Sequence, residues 1–152
     1  MTASQIEAAE IQEGICVKLR PHLVIDSLPL PREYFTIVES FWRAADIISG
    51  VVRIPPKTNV VFATSPFILD MPTGKLTYET RPNVINACLN GIVFLDCNKM
   101  AQLSPALQIA CILEELVHVL LNVTDEDLVT QVVGWLHDDI DIVDGKYTQK
   151  KV

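Results

Sequence analysis

Apolar residues recur every three to four positions from about residue 32 to residue 49, which is the spacing of one face of an α-helix. Gly50 follows this segment, and a glycine there is typical of a helix end. The acidic segment 4–13 shows a shorter pattern of the same kind, with Ile6 and Ile11 on its apolar side. The first third of the chain is therefore predicted to contain two helices.

The middle of the chain, residues 51–97, changes to short β-branched or alternating segments that are separated by breaks rich in Pro and Gly. Asn90-Gly91 lies between two apolar segments. It is the strongest hairpin signal in the chain, because both central residues of a type I′ turn need a positive φ. We therefore predict a small, mostly antiparallel sheet in this region.

Residues 105–121 form the most apolar segment of the chain. Ser104 is a favourable N-cap, Pro105 a favourable first helical residue, and Asn122 a residue that adopts the left-handed conformation at a helix end. Apolar side chains cover almost the whole circumference of this predicted helix, which is typical of a buried helix.

The chain is expected to fold as one domain, residues 1–152, of class α+β. Its 152 residues fit a single domain, and 49% of them are hydrophobic, which is enough for a core. A last helix is predicted to start with Thr124 as its cap, and the polar tail 145–152 is predicted to fray. This tail and residues 1–14 are expected to be peripheral, while the sheet packs on the 105–121 helix.

The charge balance and the cysteines restrict the class of partner and the location. A net charge of −7 argues against general nucleic-acid binding, which needs a basic surface, and against adsorption to anionic membranes. The start of the chain lacks the basic and apolar segments of a signal peptide. The 4 cysteines form no Cys-x-x-Cys pair, which favours reduced thiols. A cytoplasmic protein is expected.

Three ionisable side chains interrupt the apolar 105–121 helix. Glu114 and His118 are one turn apart, and Glu115 lies about 60° from His118 around the helix axis. Two carboxylates in apolar surroundings repel each other or take up protons unless a donor or a cation compensates them. A metal ion, a protonated His118 or an arginine would do so. A buried hydrogen-bonded network without a metal is the competing interpretation.

The strand GIVFLDCNKM, the segment SPALQIACILEELVHVLLN and the acidic start of the next helix together resemble the minimal zincin metallopeptidases, most closely the ImmA/IrrE-type group. The resemblance covers about residues 30–138 in the order of elements and only the quoted segments in detail. In that group one helix carries His-Glu-x-x-His and the following helix supplies a third ligand, usually Glu. The resemblance therefore implies a zincin-like fold and a peptide ligand.

Carried over by this resemblance, His118 corresponds to the second metal-binding histidine and Glu115 to the carboxylate that takes a proton from a metal-bound water. Glu114 stands where the first histidine belongs. Glu126 is the candidate third ligand, with Asp125 as the less favoured alternative. Two carboxylates and one imidazole favour Mn²⁺, Fe²⁺ or Mg²⁺ more, and Zn²⁺ less, than two imidazoles would. The motif also allows that no metal is bound.

Two functions follow from the resemblance. In the first, the chain is a divergent or inactive zincin-like protein that binds a peptide or a protein partner. In the second, it is an active peptidase that depends on a divalent metal, with Glu115 as general base and the substrate paired to the sheet edge as an added strand. The glutamate at position 114 favours the first function.

The same residues also allow other interpretations. Acidic residues 125–127 are also typical of a first helical turn, where they complement the helix dipole. Glu115-x-x-His118 matches the ligand motif of di-iron bundles, but those need a second copy that this sequence lacks. His137 is more simply a solvated helix end than a group that approaches the site.

Overall fold

The computed structural model describes residues 4–64, 67–78 and 82–152. The α-helices are α1 (Ala8–Gly14), α2 (Phe35–Ser49), α3 (Cys97–Met100), α4 (Pro105–Leu120) and α5 (Glu126–Leu136). The strands are β1 (Gln5–Ile6), β2 (Leu23–Ile25), β3 (Leu30–Pro31), β4 (Thr58–Ala63), β5 (Phe67–Met71), β6 (Gly74–Tyr78), β7 (Asn86–Leu89), β8 (Ile92–Asp96), β9 (Ile140–Val143) and β10 (Lys146–Gln149). None of the helices in these ranges is long and apolar enough to cross a membrane.

The largest sheet has the strand order β2-β4-β8-β7. The pairs β2–β4 and β4–β8 are parallel, whereas β7 pairs antiparallel with β8 and forms one edge. The chain passes through α2 between β2 and β4, and such a crossover brings the second strand back in the same direction. The α+β class is confirmed. This sheet has more parallel pairing than the mostly antiparallel sheet that was predicted. Hairpins account only for its β7 edge and for the separate β5–β6 pair.

The predicted hairpin at Asn90-Gly91 is confirmed. These two residues have φ values of 51° and 74°, and they connect Leu89 to its cross-strand partner Ile92. Both values lie in the left-handed region that a type I′ turn requires. The turn therefore sets the register of the edge strand β7 against β8.

The polar tail forms a second hairpin, so the prediction that it frays is wrong. Asp144 and Gly145 have φ values of 50° and 72° and connect β9 to β10, with Val143 opposite Lys146. Asp-Gly is a favoured pair for the same type of turn. The signal was present in the sequence, but the polar composition of the tail obscured it.

The N-terminal prediction is corrected in part. Gln5–Ile6 is a strand that pairs with β3, and the helix begins only at Ala8. Ile6 and Ile11 are fully buried, as their spacing predicted.

The core lies between α2, α4 and the sheet. Phe41 of α2 meets Phe62 of β4 edge to face, with ring centroids 5.3 Å apart. Each such ring removed from water stabilises the fold by about 2–3 kcal/mol.

One buried polar cluster also joins the helices. Ser40 donates to the Gln108 carbonyl at 2.7 Å, and the Gln108 amide donates to the Met100 carbonyl at 3.0 Å. This pairing joins the first turns of α4 to α2 and satisfies the buried Ser40 and Gln108 side chains.

Candidate functional site

A cleft of about 870 Å³ lies beside the edge strand β7. It is bounded by β7, by α4, by the start of α5 and by β10. The four residues that the sequence singled out all line it, namely Glu114, Glu115, His118 and Glu126. The structure therefore brings the candidate site residues to one cavity.

The strand β7, at one edge of the sheet, borders this cleft. Asn86 and Cys88 of β7 line the cavity, and in the described part of the chain no strand pairs with the side of β7 away from β8. An unpaired strand edge presents a row of backbone donors and acceptors to an extended ligand. The Asn86 side chain does not compete for this edge, because its carbonyl accepts from the Asp96 backbone at 2.9 Å.

Glu115 is buried at the base of the cleft, with 6% of its surface exposed. It forms no hydrogen bond or ion pair with any group in residues 4–64, 67–78 or 82–152. Burial is the largest cause that raises the pKa of Glu115 to about 7, the charge of Glu114 adds to it, and His118 opposes it. Its carboxyl group is therefore divided between the acid and the carboxylate near neutral pH.

His118 is held in a defined orientation by the turn after α4. Asn122 adopts the predicted left-handed conformation, with φ 53°, and the turn brings the Val123 carbonyl to 2.7 Å from His118 Nδ1. A carbonyl only accepts, so Nδ1 carries the hydrogen and Nε2 of the neutral ring has a free lone pair. Nε2 lies 3.4 Å from Glu126 Oε2. A backbone carbonyl on the far ring nitrogen is the usual support of a metal-binding histidine.

The acidic residues at the start of α5 have separate roles. Asp125, and not Thr124 as predicted, caps the helix, because its carboxylate accepts from the Leu128 backbone at 2.8 Å. Glu126 faces His118, and its side chain is 75% exposed. Asp127 is exposed and lies outside the cleft. The helix-cap interpretation therefore holds for Asp125, while Glu126 is the acid that reaches the site.

Tyr147 of β10 is a site residue that sequence reasoning missed. Its hydroxyl is buried beside Glu114 and Thr130 but forms no hydrogen bond of normal geometry within the described residues. Burial first, and then the charge of Glu114, raise the pKa of Tyr147. The neutral phenol is thus a potential donor to Glu114. The Asp144-Gly145 turn was the signal that could have identified it.

Two thiols also line the cleft, those of Cys88 and Cys111. All four cysteines of the chain are free, in agreement with the reduced state expected from the sequence. Burial, followed by the charges of Glu114 and Glu115, raises the pKa of Cys111 to about 12. A thiol that holds its proton so firmly is a poor nucleophile at neutral pH.

The donor set fits a divalent metal only in part. Two ligand atoms at about 2.1 Å from a tetrahedral metal are about 3.4 Å apart, and His118 Nε2 and Glu126 Oε2 show that separation. However, no group of three His, Cys, Asp or Glu side chains in the described ranges is placed to hold an ion. The predicted trio of Glu114, His118 and Glu126 lines one cleft without converging on one point.

His137 does not belong to this site. It is buried, with 3% of its surface exposed, and its Nε2–H donates to the Ala106 carbonyl at 2.9 Å. The prediction of a solvated helix end is wrong, because the ring fills the space between the end of α5 and the first turn of α4. Its role is to join these two helices.

Comparison of the chain with protein-family models, with curated proteins and with solved structures finds no significant match. The zincin resemblance therefore remains a prediction from the motif and the order of elements.

Proposed function

We propose that this chain binds an extended peptide segment in the cleft between β7 and α4, as a divergent zincin-like protein that does not hydrolyse its ligand. The observation that carries this proposal is the edge of β7 beside the cavity, which no other strand of the described residues covers. A peptide that adds to a sheet edge gains main-chain hydrogen bonds along its length, and pockets for alternate side chains give specificity. A cavity of about 870 Å³ offers room for several side chains.

The absence of hydrolysis follows from the donors that the chain provides. Glu114 replaces the first histidine of the zincin motif and lies beside Tyr147. Within the described ranges, His118 and Glu126 then supply a pair of ligand atoms instead of a set of three. A catalytic metal in this class of site needs three protein ligands and one open position.

Peptide binding is tested by titrating isotope-labelled protein with short valine- and threonine-rich peptides and following backbone amide resonances. We expect the largest shifts at residues 86–89 and at the cleft face of α4, and no cleavage products by mass spectrometry. The control is a matched peptide in which alternate amides are N-methylated. It keeps the side chains but cannot form the main-chain hydrogen bonds to β7. If both peptides shift the same amides equally, pairing with β7 is excluded.

A metal-dependent peptidase is the second candidate, and the 3.4 Å separation of His118 Nε2 and Glu126 Oε2 favours it. These two residues would hold the ion, which would supply Lewis acidity to a bound water. Glu115, with a pKa raised to about 7, is suited to act as a general base near neutral pH.

The metal interpretation is tested by Glu114→His, which completes the His-Glu-x-x-His motif. If the helix register is that of a zincin, Zn²⁺ affinity should rise about ten-fold or more, because imidazole is the better zinc ligand. Calorimetric titration with Zn²⁺ measures this. Glu39→His on the exposed face of α2 is the control, and an equal gain in both variants contradicts the assignment.

A further inference from the structure

The α4 side of the cleft has more negative than positive charge. Three carboxylates line it, those of Glu114, Glu115 and Glu126. The permanent cation among the described lining residues is Lys146, which is exposed on β10 and has no ion pair within the described residues. Among the described lining residues, three carboxylates therefore face one permanent cation and the imidazole of His118, which lies 3.4 Å from Glu126.

Glu115 distinguishes this cluster from an ordinary acidic surface. An exposed carboxylate is stabilised by water, but Glu115 is 6% exposed and has no hydrogen-bond partner within residues 4–64, 67–78 and 82–152. A buried carboxylate without a partner costs free energy until a donor or a cation reaches it. Since Glu115 lines the cleft, a ligand bound there can supply such a partner.

We infer that the peptide bound in this cleft carries an arginine side chain, whose guanidinium group lies between the carboxylates of Glu115 and Glu126. This inference rests on the proposed peptide binding. In an extended peptide alternate side chains point to the same face, so a residue paired with β7 can direct its side chain towards α4.

Arginine suits this cluster better than lysine. Its guanidinium group has five donors in a planar arrangement and can satisfy two carboxylates at once, and it is more weakly hydrated than an ammonium group. His118, whose ring is oriented by the hydrogen bond from Nδ1 to the Val123 carbonyl, lies beside Glu126 in the same cleft and leaves room for a planar group between the side chains of α4 and α5 only if its ring keeps this orientation.

The test uses a set of short peptides that are identical except at the central position, which is arginine, citrulline, lysine or glutamate. Citrulline keeps the shape of arginine and removes the charge. In buffer with a chelator, we expect the arginine peptide to bind about ten- to one-hundred-fold more tightly than the citrulline peptide, as charge-assisted hydrogen bonds imply. This preference should weaken with added salt.

Variants of the protein show which carboxylates produce the preference for the arginine peptide. Glu115→Gln should reduce the preference for arginine over citrulline to less than about three-fold, and Glu126→Gln should reduce it in part. Asp127→Asn is the matched control, because it removes a charge next to Glu126 but outside the cleft, and it should keep the preference.

The outcomes separate this inference from the proposed function. If no peptide binds, the proposed function fails and the inference fails with it. If all four peptides bind equally, peptide binding stands and the arginine inference is overturned. If binding requires added Mn²⁺ or Zn²⁺ and is lost in His118→Ala, the acidic cluster holds a metal, and the inference is again overturned.

Discussion

Glu115 is the residue at which stability and function compete. Its carboxyl group is buried among apolar neighbours on α4 without a partner among the described residues, so ionising it in the folded protein costs free energy. The same absence of a partner leaves it available to a ligand. A residue that destabilises its own fold in this way is typical of a functional site.

The raised pKa of Glu115 predicts a pH-dependent stability. Its pKa is about 7 in the folded protein against an ordinary value of 4.5, so the folded state binds the proton more tightly than the unfolded state does. The protonated Glu115 therefore contributes to the free energy of unfolding. This contribution is complete below about pH 4.5 and is lost as the pH rises through 7. The loss is on the order of 3 kcal/mol.

The check is chemical denaturation of the wild type and of Glu115→Gln between pH 5 and pH 8. Gln keeps the shape without the charge, so the variant should gain stability relative to wild type as the pH rises. The other charged groups of the cleft, among them Glu114, His118 and Glu126, are present in both proteins, and the difference between the two curves removes their common contribution. If the stabilities of the wild type and of Glu115→Gln change with pH in parallel, Glu115 is solvated and the prediction is wrong. Glu39→Gln is the exposed control.

At the scale of single residues, the sequence identified the acidic and imidazole side chains that line the cleft. It did not identify the contacts that orient them. Helical spacing placed Glu114, Glu115 and His118 on neighbouring positions of one helix. It did not show that Val123 orients the imidazole or that Tyr147 lies against Glu114, because both contacts depend on chain segments outside α4.

At the scale of elements, α1 is held against α2 by a close approach. The Trp42 indole donates to the Ile11 carbonyl at 2.8 Å and lies over Gly14, where a Cβ atom would overlap the ring. Gly14 ends the helix and leaves the space that the indole occupies.

Gly14→Ala should therefore destabilise the protein by about 1–3 kcal/mol, since the added methyl group overpacks the contact with Trp42. Urea denaturation measures the change. Gly50→Ala is the matched control, because its Cβ meets only the Ile47 carbonyl at 3.4 Å, and it should be neutral or slightly stabilising. Equal effects of both substitutions would indicate that Trp42 moves aside at little cost.

The helix and hairpin predictions were accurate where local chemistry decides the structure. Pro105 starts α4, Asn122 ends it in the left-handed conformation, and Asn90-Gly91 forms the turn of β7–β8. Ser104 occupies the N-cap position, but its hydroxyl forms no capping hydrogen bond. The parallel pairing of β2 with β4 was not predicted, because partners that are distant in sequence leave no local signal.

At the scale of the whole molecule, the C-terminal hairpin completes one wall of the cleft. β9 packs against α5 and β10 against α4, so residues expected to be peripheral contact the helix that carries the site. Ile140 of this hairpin is 3% exposed.

Truncation after Asp144 should lower the free energy of unfolding by about 2–4 kcal/mol, because it removes β10 and exposes the apolar surface under Tyr147. It should also weaken peptide binding. Thermal and urea denaturation measure the first effect, and the amide titration measures the second. Removal of Lys151 and Val152 alone is the control, and an equal effect of the two truncations would contradict a structural role for β10.

The sequence by itself determined the α+β class, the buried helix α4, the turns with positive φ, and the set of acidic and imidazole side chains on α4 and α5. These features follow from periodicity, caps and turn chemistry, which act over a few neighbouring residues. The tertiary structure alone decided that β7 is an edge strand, that β10 closes the cleft, that His137 is buried and that Glu115 has no described partner. Each of these depends on which distant segments pack together, and burial in turn sets the charge that Glu115 carries.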